Sequence, residues 1–365
     1  MAKTKMLWTG EPDENWEKVF NEEFDVTKAT MAITGRHQDV LRANPFEGDP
    51  EMDKKVIEMI ADNEIIMLGY DGLSKEVIEH CPDLKVVVSV RDGPEENVNI
   101  KACTEAGIPV MSAGGRCVHA VAETTVTLMM MLARRVLPIY DLVKEEKWTK
   151  ESFGHIREKC AFRTELFRKT LALIGCGRNA QEIVKICKGF DMNIITYDPY
   201  MKDEVAEKLG VKKVSLDEAM SQGDYVVMMA RVTPETTGMI SKEKIALMKP
   251  TAYFVNTARA ALTDENAVIE ALVNDKIAGA ALDVASVEPL GPDSPLYDIP
   301  TDKLILTPHI SGGSKERVSF QYEKCWESLQ NFMKGDKGNI TLQNRDVFDS
   351  PAFAERGGKF FGCKK

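Results

Sequence analysis

The sequence predicts an α/β protein built on open, mostly parallel sheets, and three observations carry that prediction. Short apolar runs alternate with helical patterns through most of the 365 residues, the rhythm of parallel sheets with helices on both faces. One stretch, 169–199 (KTLALIGCGRNAQEIVKICKGFDMNIITYDP), runs in the order strand, glycine turn, helix, strand, acid. A smaller set of strands and helices in residues 1–110 stands before it as a unit of its own. A chain of this length most readily forms two domains, each able to bury a core.

Taken in order, 5–8 and 64–68 read as strands, and 85–90 (KVVVSV) is the clearest of the first unit. Between them, 53–60 and 75–80 have helical period, whereas 34–50, with two prolines, reads as loop. Asp92-Gly93-Pro94 marks a turn, 98–106 a helix ended by Gly107, and 108–111 another strand. The helix predicted at 119–136 (HAVAETTVTLMMMLARRV) is apolar enough to pack in a core or against a second copy, and its three methionines suit packing better than ligation. Residues 147–168 read as polar and irregular. Beyond Asp198, strands are expected at 211–214, 224–229, 252–256, 278–284 and 304–307, and helices at 216–222, 242–248 and 265–273. A last helix begins near Val318, and from Lys337 the chain reads as irregular.

Composition narrows the function. Charged residues make up 28% and hydrophobic ones 44%, ordinary for a globular protein, and the formal net charge is −10. That balance opposes non-specific nucleic-acid binding, which depends on clustered Lys and Arg, and leaves no membrane footprint. The apolar run 126–132 is too short to span a bilayer, and the start, MAKTKMLWTG, has no long apolar segment of a signal peptide. The eight cysteines (81, 103, 117, 160, 176, 187, 325, 363) show no C-x-x-C spacing. They are expected to be reduced thiols in a cytoplasmic protein, with no metal site.

The stretch 169–199 carries the first chemistry. Gly175 permits a tight turn, Gly177 keeps side-chain atoms away from a pyrophosphate, and Ala180 lets the helix pack closely on its strand. The helix start presents unpaired N–H groups to phosphates. Asp198 is placed to accept hydrogen bonds from an adenine ribose, and its charge disfavours a 2′-phosphate. A Rossmann-type dinucleotide unit follows, binding NAD in preference to NADP.

Three later strand ends carry ionisable residues: Asn256-Thr257-Ala258-Arg259, then Asp283 through Glu288-Pro289, then Thr307-Pro308-His309. Singly, each has an ordinary reading as a surface cation, a loop or a structural imidazole. Together, on successive strands after a nucleotide unit, they form a site for hydride transfer. Arg259 can bind a substrate carboxylate in bidentate fashion and polarise a keto oxygen. His309 can donate a proton to that oxygen or take it back, and Glu288 can stabilise the protonated imidazole and fix its orientation.

With these residues in view the chain resembles the D-isomer-specific 2-hydroxyacid dehydrogenases, a family that includes phosphoglycerate dehydrogenase, glyoxylate reductase and formate dehydrogenase. V-N-T-A-R, D-V-x-x-x-E-P and T-P-H-I-S-G resemble its arginine, glutamate and histidine motifs. Val232-Thr233-Pro234-Glu235-Thr236 resembles its cofactor loop and Val121-Ala122-Glu123 the start of its dimer helix. The resemblance covers about residues 60–335. It implies a Rossmann-type NAD-binding domain (116–311) inserted into a smaller flavodoxin-like α/β substrate domain (1–115 and 312–365), and a homodimer. It implies catalysis by Arg259, Glu288 and His309, and cofactor contacts from Gly175, Gly177, Arg178, Asn179, Asp198, Thr233, Thr257, Asp283 and Gly312. Asp283 would meet the nicotinamide amide and Arg259 the substrate, a small 2-keto or 2-hydroxy acid; Arg91, Asp92 and Gly93 are further candidate substrate contacts.

The chain departs from the family at Asn179-Ala180, where Ile-Gly is usual, and at Ala260, where Gly is usual. The larger departure is the substrate loop Val90–Asn97, with one glycine and an added arginine. Arg91 is either a contact for a second anionic or hydroxylated part of the substrate or the ion-pair partner of Asp92 or another acid. The competing functional class is an NAD(H)-sensing interaction protein of corepressor type, which would need a peptide groove that no part of the sequence signals.

Overall fold

The computed structural model describes residues 2–29, 46–159, 161 and 163–356. Most of the loop predicted at 34–50, Cys160 and Cys363 lie outside the described residues. The chain forms two compact units, Met1–Arg116 with Ser314–Lys365, and Cys117–Gly313.

The first unit holds a parallel sheet of β1 (Thr4–Trp8), β2 (Phe24–Lys28), β3 (Ile65–Leu68), β4 (Val86–Ser89) and β5 (Val110–Ser112), in the order β2-β1-β3-β4-β5. Every residue of β3, β4 and β5 is buried, and the inner strands β3 and β4 read as near-continuous apolar runs. β2 was not foreseen, because only Phe24 of its five residues is buried and an edge strand with one wet face leaves little apolar signal. The helix before it, Glu14–Glu23, is capped by Asp13, whose side chain accepts from the N–H groups of Asn15 and Trp16; this cap marks helix starts.

The C-terminal helix Glu316–Lys334 belongs to the same unit. Tyr322, Cys325, Leu329 and Phe332 pack with Trp8, Phe20 and the strand residues Met67 and Val88, and the Trp8 indole N–H donates to the Tyr322 hydroxyl at 3.2 Å. The segment after Lys337, expected to be irregular, is ordered by β5. The Ser112 N–H donates to Thr341 O (2.9 Å) and the Gln343 N–H to Val110 O (2.9 Å). Buried Asn344 accepts from the Val110 N–H (2.9 Å) and donates to Ile108 O (3.0 Å). Backbone pairing needs no apolar pattern, so the sequence was silent here.

The second unit is a seven-stranded parallel sheet. Its strands are β6 (Thr170–Ile174), β7 (Asn193–Tyr197), β8 (Lys212–Lys213), β9 (Tyr225–Met228), β10 (Tyr253–Asn256), β11 (Gly279–Leu282) and β12 (Leu304–Leu306). The order β12-β11-β10-β9-β6-β7-β8 reverses direction between β9 and β6, the switch point where ligands bind such sheets. The predicted 119–136 helix runs Val118–Arg134; Arg135 turns left-handed (φ 52°) and a separate helix, Val136–Glu146, follows. A short helix, Phe153–Lys159, also breaks the stretch expected to be irregular. Helix Asp203–Leu209, unforeseen as well, precedes β8, which is only two residues long. Of the three methionines, Met129 is fully buried and Met130 is 39% exposed.

Candidate active site

The glycine turn joins β6 to the helix Arg178–Lys188. Gly175 sits at φ +91°, and a Cβ there would lie 2.7 Å from the Ala230 backbone, so both conformation and space demand glycine. Around Gly177 nothing lies within 4 Å of a built Cβ, and no side chain caps the helix it begins. The first N–H groups of the helix are therefore left without a side-chain cap, the arrangement that suits a phosphate. Arg178 is exposed and Asn179 half-buried at this end, while Ala180 is buried against the sheet.

Asp198, at the end of β7, braces the turn. One carboxylate oxygen accepts from the Cys176 N–H (2.8 Å), the other from the N–H groups of Tyr200 (2.9 Å) and Met201 (3.1 Å). Burial pushes the adjacent Cys176 thiol up to about 11, and the six described cysteines form no disulfide. Thr233 and Thr236 close the loop after β9, the Thr233 N–H donating to the Thr236 hydroxyl at 2.8 Å.

Arg259, Glu288 and His309 follow β10, β11 and β12, three neighbours in the sheet. His309 Nδ1 lies 2.6 Å from a Glu288 oxygen, and the other Glu288 oxygen accepts from the Ala285 N–H at 3.0 Å. Burial pushes the Glu288 carboxyl up, but the hydrogen bonds from His309 and Ala285 and the charges of His309 and Arg259 outweigh it and hold the group below its ordinary value. Glu288 is thus a carboxylate at neutral pH, Nδ1–H is committed to it, and Nε2 is the imidazole nitrogen left for proton exchange. The Arg259 guanidinium donates to its neighbour Ala258 O at 2.8 Å.

Asp283 does work that the motif did not reveal. It is buried, and one carboxylate oxygen accepts from the Thr307 hydroxyl (2.6 Å) and the Ile310 N–H (2.9 Å), the other from the Ser311 N–H (2.9 Å). The His309 N–H donates to Asp283 O at 2.9 Å. These bonds hold His309 at φ +55°, a left-handed conformation in which histidine is enriched among non-glycine residues. On the other side Asn256, also buried, accepts from the Ala258 N–H (3.0 Å) and donates to Arg259 O (3.1 Å), clamping the arginine turn. Thr125, wholly buried in the helix Val118–Arg134, donates to Val121 O, so its oxygen accepts from the Thr257 hydroxyl at 2.7 Å. Thr125 was missed, and Asn256 and Thr307 were named within the strand-end motifs without these roles; a threonine on the buried face of an apolar helix was the one available signal for Thr125. Gly312 lies beside the Cys117 side chain, 3.4 Å from a built Cβ.

The predicted substrate residues 91–93 fall in the first unit. Arg91 pairs with Glu96 and lies over the Tyr70 ring, 5.3 Å from its centre. Asp92 accepts from the Gly115 N–H at 2.8 Å. Gly93 precedes the short turn Pro94–Glu96.

The second unit is therefore a dinucleotide-binding α/β domain whose adjacent strand ends carry an Arg–Glu–His set. Residues 126–311, half of the chain, match the model of the D-isomer specific 2-hydroxyacid dehydrogenase NAD binding domain. The chain belongs to the D-isomer-specific 2-hydroxyacid dehydrogenase family. It is 35% identical over 307 residues to D-3-phosphoglycerate dehydrogenase of Methanocaldococcus jannaschii, covering 82% of this chain and 56% of that protein. It is 30% identical over 358 residues to glyoxylate reductase of Pyrococcus furiosus, covering 97% and 100%. D-mandelate dehydrogenase of Rhodotorula graminis shares the fold, with TM-score 0.76, 21% identity and coverage of 93% and 97%. This chain spans about half the length of the first of these relatives (56%). No described helix is long and apolar enough to cross a membrane.

Proposed function

We propose that the protein is an NAD-dependent oxidoreductase interconverting a small 2-keto acid and the corresponding D-2-hydroxy acid. The observation that carries this reading is the 2.6 Å contact between His309 and Glu288, beside Arg259 at the neighbouring strand end. When bound, the nicotinamide supplies hydride to substrate C2 or accepts it. Arg259 holds the substrate carboxylate and polarises the keto oxygen. Nε2 of His309 gives that oxygen a proton in reduction and recovers it in oxidation, while Glu288 steadies the imidazolium. Gly175, Gly177, Arg178, Asn179, Thr233, Thr257 and Gly312 line the cofactor path, Asp283 adds an acceptor for the nicotinamide amide, and the Arg91–Gly93 loop contacts substrate. Turnover of NADH with a panel of 2-keto acids tests the reading. Binding of NADH with no turnover on any member would favour the corepressor-like alternative.

Glu288→Gln removes the anion that stabilises imidazolium. Turnover should then fall about 10- to 100-fold in both directions, the scale of a lost charge-assisted hydrogen bond, while NADH binding is retained. Wild-type kcat in both directions would refute the role. NAD is the proposed cofactor because an acid at the end of the second strand of such a unit, as Asp198 is, disfavours a 2′-phosphate. In Asp198→Ala the ratio of kcat/KM for NADH over NADPH should fall at least about tenfold, the scale of one lost charge–charge discrimination; an unchanged ratio removes Asp198 from the ribose site.

The same reading includes a cytoplasmic homodimer. Met130, Val136, Tyr140 and Trp148 are exposed apolar side chains, the last 73% exposed, and exposed apolar side chains in this stretch suit contact with a second copy.

A further inference from the structure

One helix of the second unit touches two of the loops that bear the Arg–Glu–His set. The helix Val118–Arg134 lies against the sheet, where Val126, Met129 and Leu132 share a core with Val255, Ala281 and Ile305 of β10, β11 and β12. Thr125 meets the turn that leads to Arg259, and its hydroxyl is 2.7 Å from that of Thr257. The next hydroxyl along, Thr124, donates to Ser311 O at 3.4 Å, in the loop that carries His309. The start of the helix completes the stripe. A Cβ built on Gly312 would lie 3.4 Å from Cys117 and 3.9 Å from Val121. Positions 117, 121, 124 and 125 recur at the spacing of one helical face.

A hydroxyl inside this helix needs a reason. Thr125 is wholly buried, and Thr257 and Ser311 are 5% and 3% exposed. Valine has nearly the shape of threonine and would pack here with no polar group to bury. Thr125 gives its own proton to Val121 O at 2.7 Å, the usual way a mid-helix threonine satisfies its donor. Its oxygen still has a lone pair, and the Thr257 hydroxyl fills it. The order of donation is therefore fixed, Thr257 to Thr125 to Val121. Thr257 in turn sits inside the clamp made by buried Asn256, which accepts from the Ala258 N–H and donates to Arg259 O. Ser311 is held from two sides as well. Its N–H donates to Asp283 at 2.9 Å and its carbonyl accepts from Thr124. Both loops are thus tied to adjacent residues of one rigid element.

We propose that Thr124 and Thr125 are positioning residues that set the spacing between Arg259 and His309. The proposal rests on the reductase reading above, in which one substrate must meet Arg259 at its carboxylate and His309 at its keto oxygen. Such a pair tolerates little displacement, since a misplacement of about 1 Å can cost about 10²-fold in rate. Thr125 acts through Thr257, and Thr124 through Ser311.

The test uses the full chain as wild type, Thr125→Val, Thr125→Ser, Thr257→Val, Thr125→Val combined with Thr257→Val, and Thr124→Val. Amide hydrogen exchange, measured without cofactor, reads the loops directly. Thr125→Val should speed exchange across 257–262 about 3- to 10-fold, the scale of one buried hydrogen bond, and leave 193–197 unchanged. Thr124→Val should speed 309–313 only about threefold, its bond being longer and weaker. With NADH and keto acid saturating, kcat of Thr125→Val should fall about 3- to 10-fold, while Thr125→Ser, which keeps the hydroxyl, stays within about twofold of wild type. Because Thr125 acts through Thr257, the double variant should match Thr257→Val alone to within about twofold. Losses that multiply instead would assign Thr125 to packing and overturn its role. A loop whose exchange ignores its own threonine overturns the grip on that loop. Should Thr125→Val fail to fold, Thr257→Val probes the same hydrogen bond from its other end. If the wild type turns over no keto acid, the reductase reading falls and exchange decides alone: faster exchange upholds the grip, and unchanged exchange overturns it too.

Discussion

His309→Gln is expected to bind NADH much as the wild type does while losing about 10²–10⁴-fold in turnover, the usual contribution of a positioned general acid. In free energy that is roughly 3–5 kcal/mol of transition-state stabilisation. The size follows from the geometry. Glu288 holds Nδ1 at 2.6 Å, Asp283 fixes the loop through four hydrogen bonds to residues 307, 309, 310 and 311, and the imidazole therefore starts in place. Glutamine has no titratable nitrogen to replace Nε2. His309→Asn serves as the conformational control, since asparagine tolerates the left-handed backbone at this position. Near-wild-type kcat in either variant, measured by NADH oxidation, would sink the assignment of His309 as the acid–base group.

The second large effect separates the two glycines of the turn. Gly175→Ala places a Cβ 2.7 Å from the Ala230 backbone at a φ of +91°, so strain and overlap add. The expected cost is roughly 2–5 kcal/mol, a large share of the stability of an ordinary domain, seen as a lower denaturation midpoint together with weaker NADH binding. Gly177→Ala meets nothing within 4 Å and begins a helix from an extended backbone (φ −71°, ψ −168°) that alanine adopts freely. Its stability should change by about 0.5–1 kcal/mol or less, the scale of an N-cap Gly→Ala exchange, while NADH binding weakens because the new methyl stands where the pyrophosphate must approach the helix start. Equal denaturation midpoints for the two variants would show that Gly175 is not under the constraint described.

Much of the second unit was legible because its determinants are local. β6, β9, β10 and β11 are buried along most or all of their length, so apolar runs reveal them, and the glycine turn announces itself through residues adjacent in sequence. The strand ends bearing Arg259, Glu288 and His309 were readable for the same reason: each follows a recognisable strand. What escaped notice had no local signature. β2 is half wet, and the 341–344 segment is held by backbone bonds to β5. Asp283 looked like one acid in a motif and carries a whole loop, and Thr125 resembled any threonine of an apolar helix.

By itself, the sequence determined the α/β class, the dinucleotide turn at Gly175–Ala180 and the identity of the residues proposed to act. Periodicity, glycine placement and residue chemistry are properties of short segments and are written in them. Only the tertiary structure decided that Arg91 pairs with Glu96, that Asp198 braces the turn it follows, and that Thr124 and Thr125 meet the loops of His309 and Arg259. Thr125 and Thr257 lie 132 positions apart, Thr124 and Ser311 187. They are brought together by strand order and by the packing of one helix on the sheet, and the energy of such contacts belongs to the packed sheet rather than to any segment of the chain.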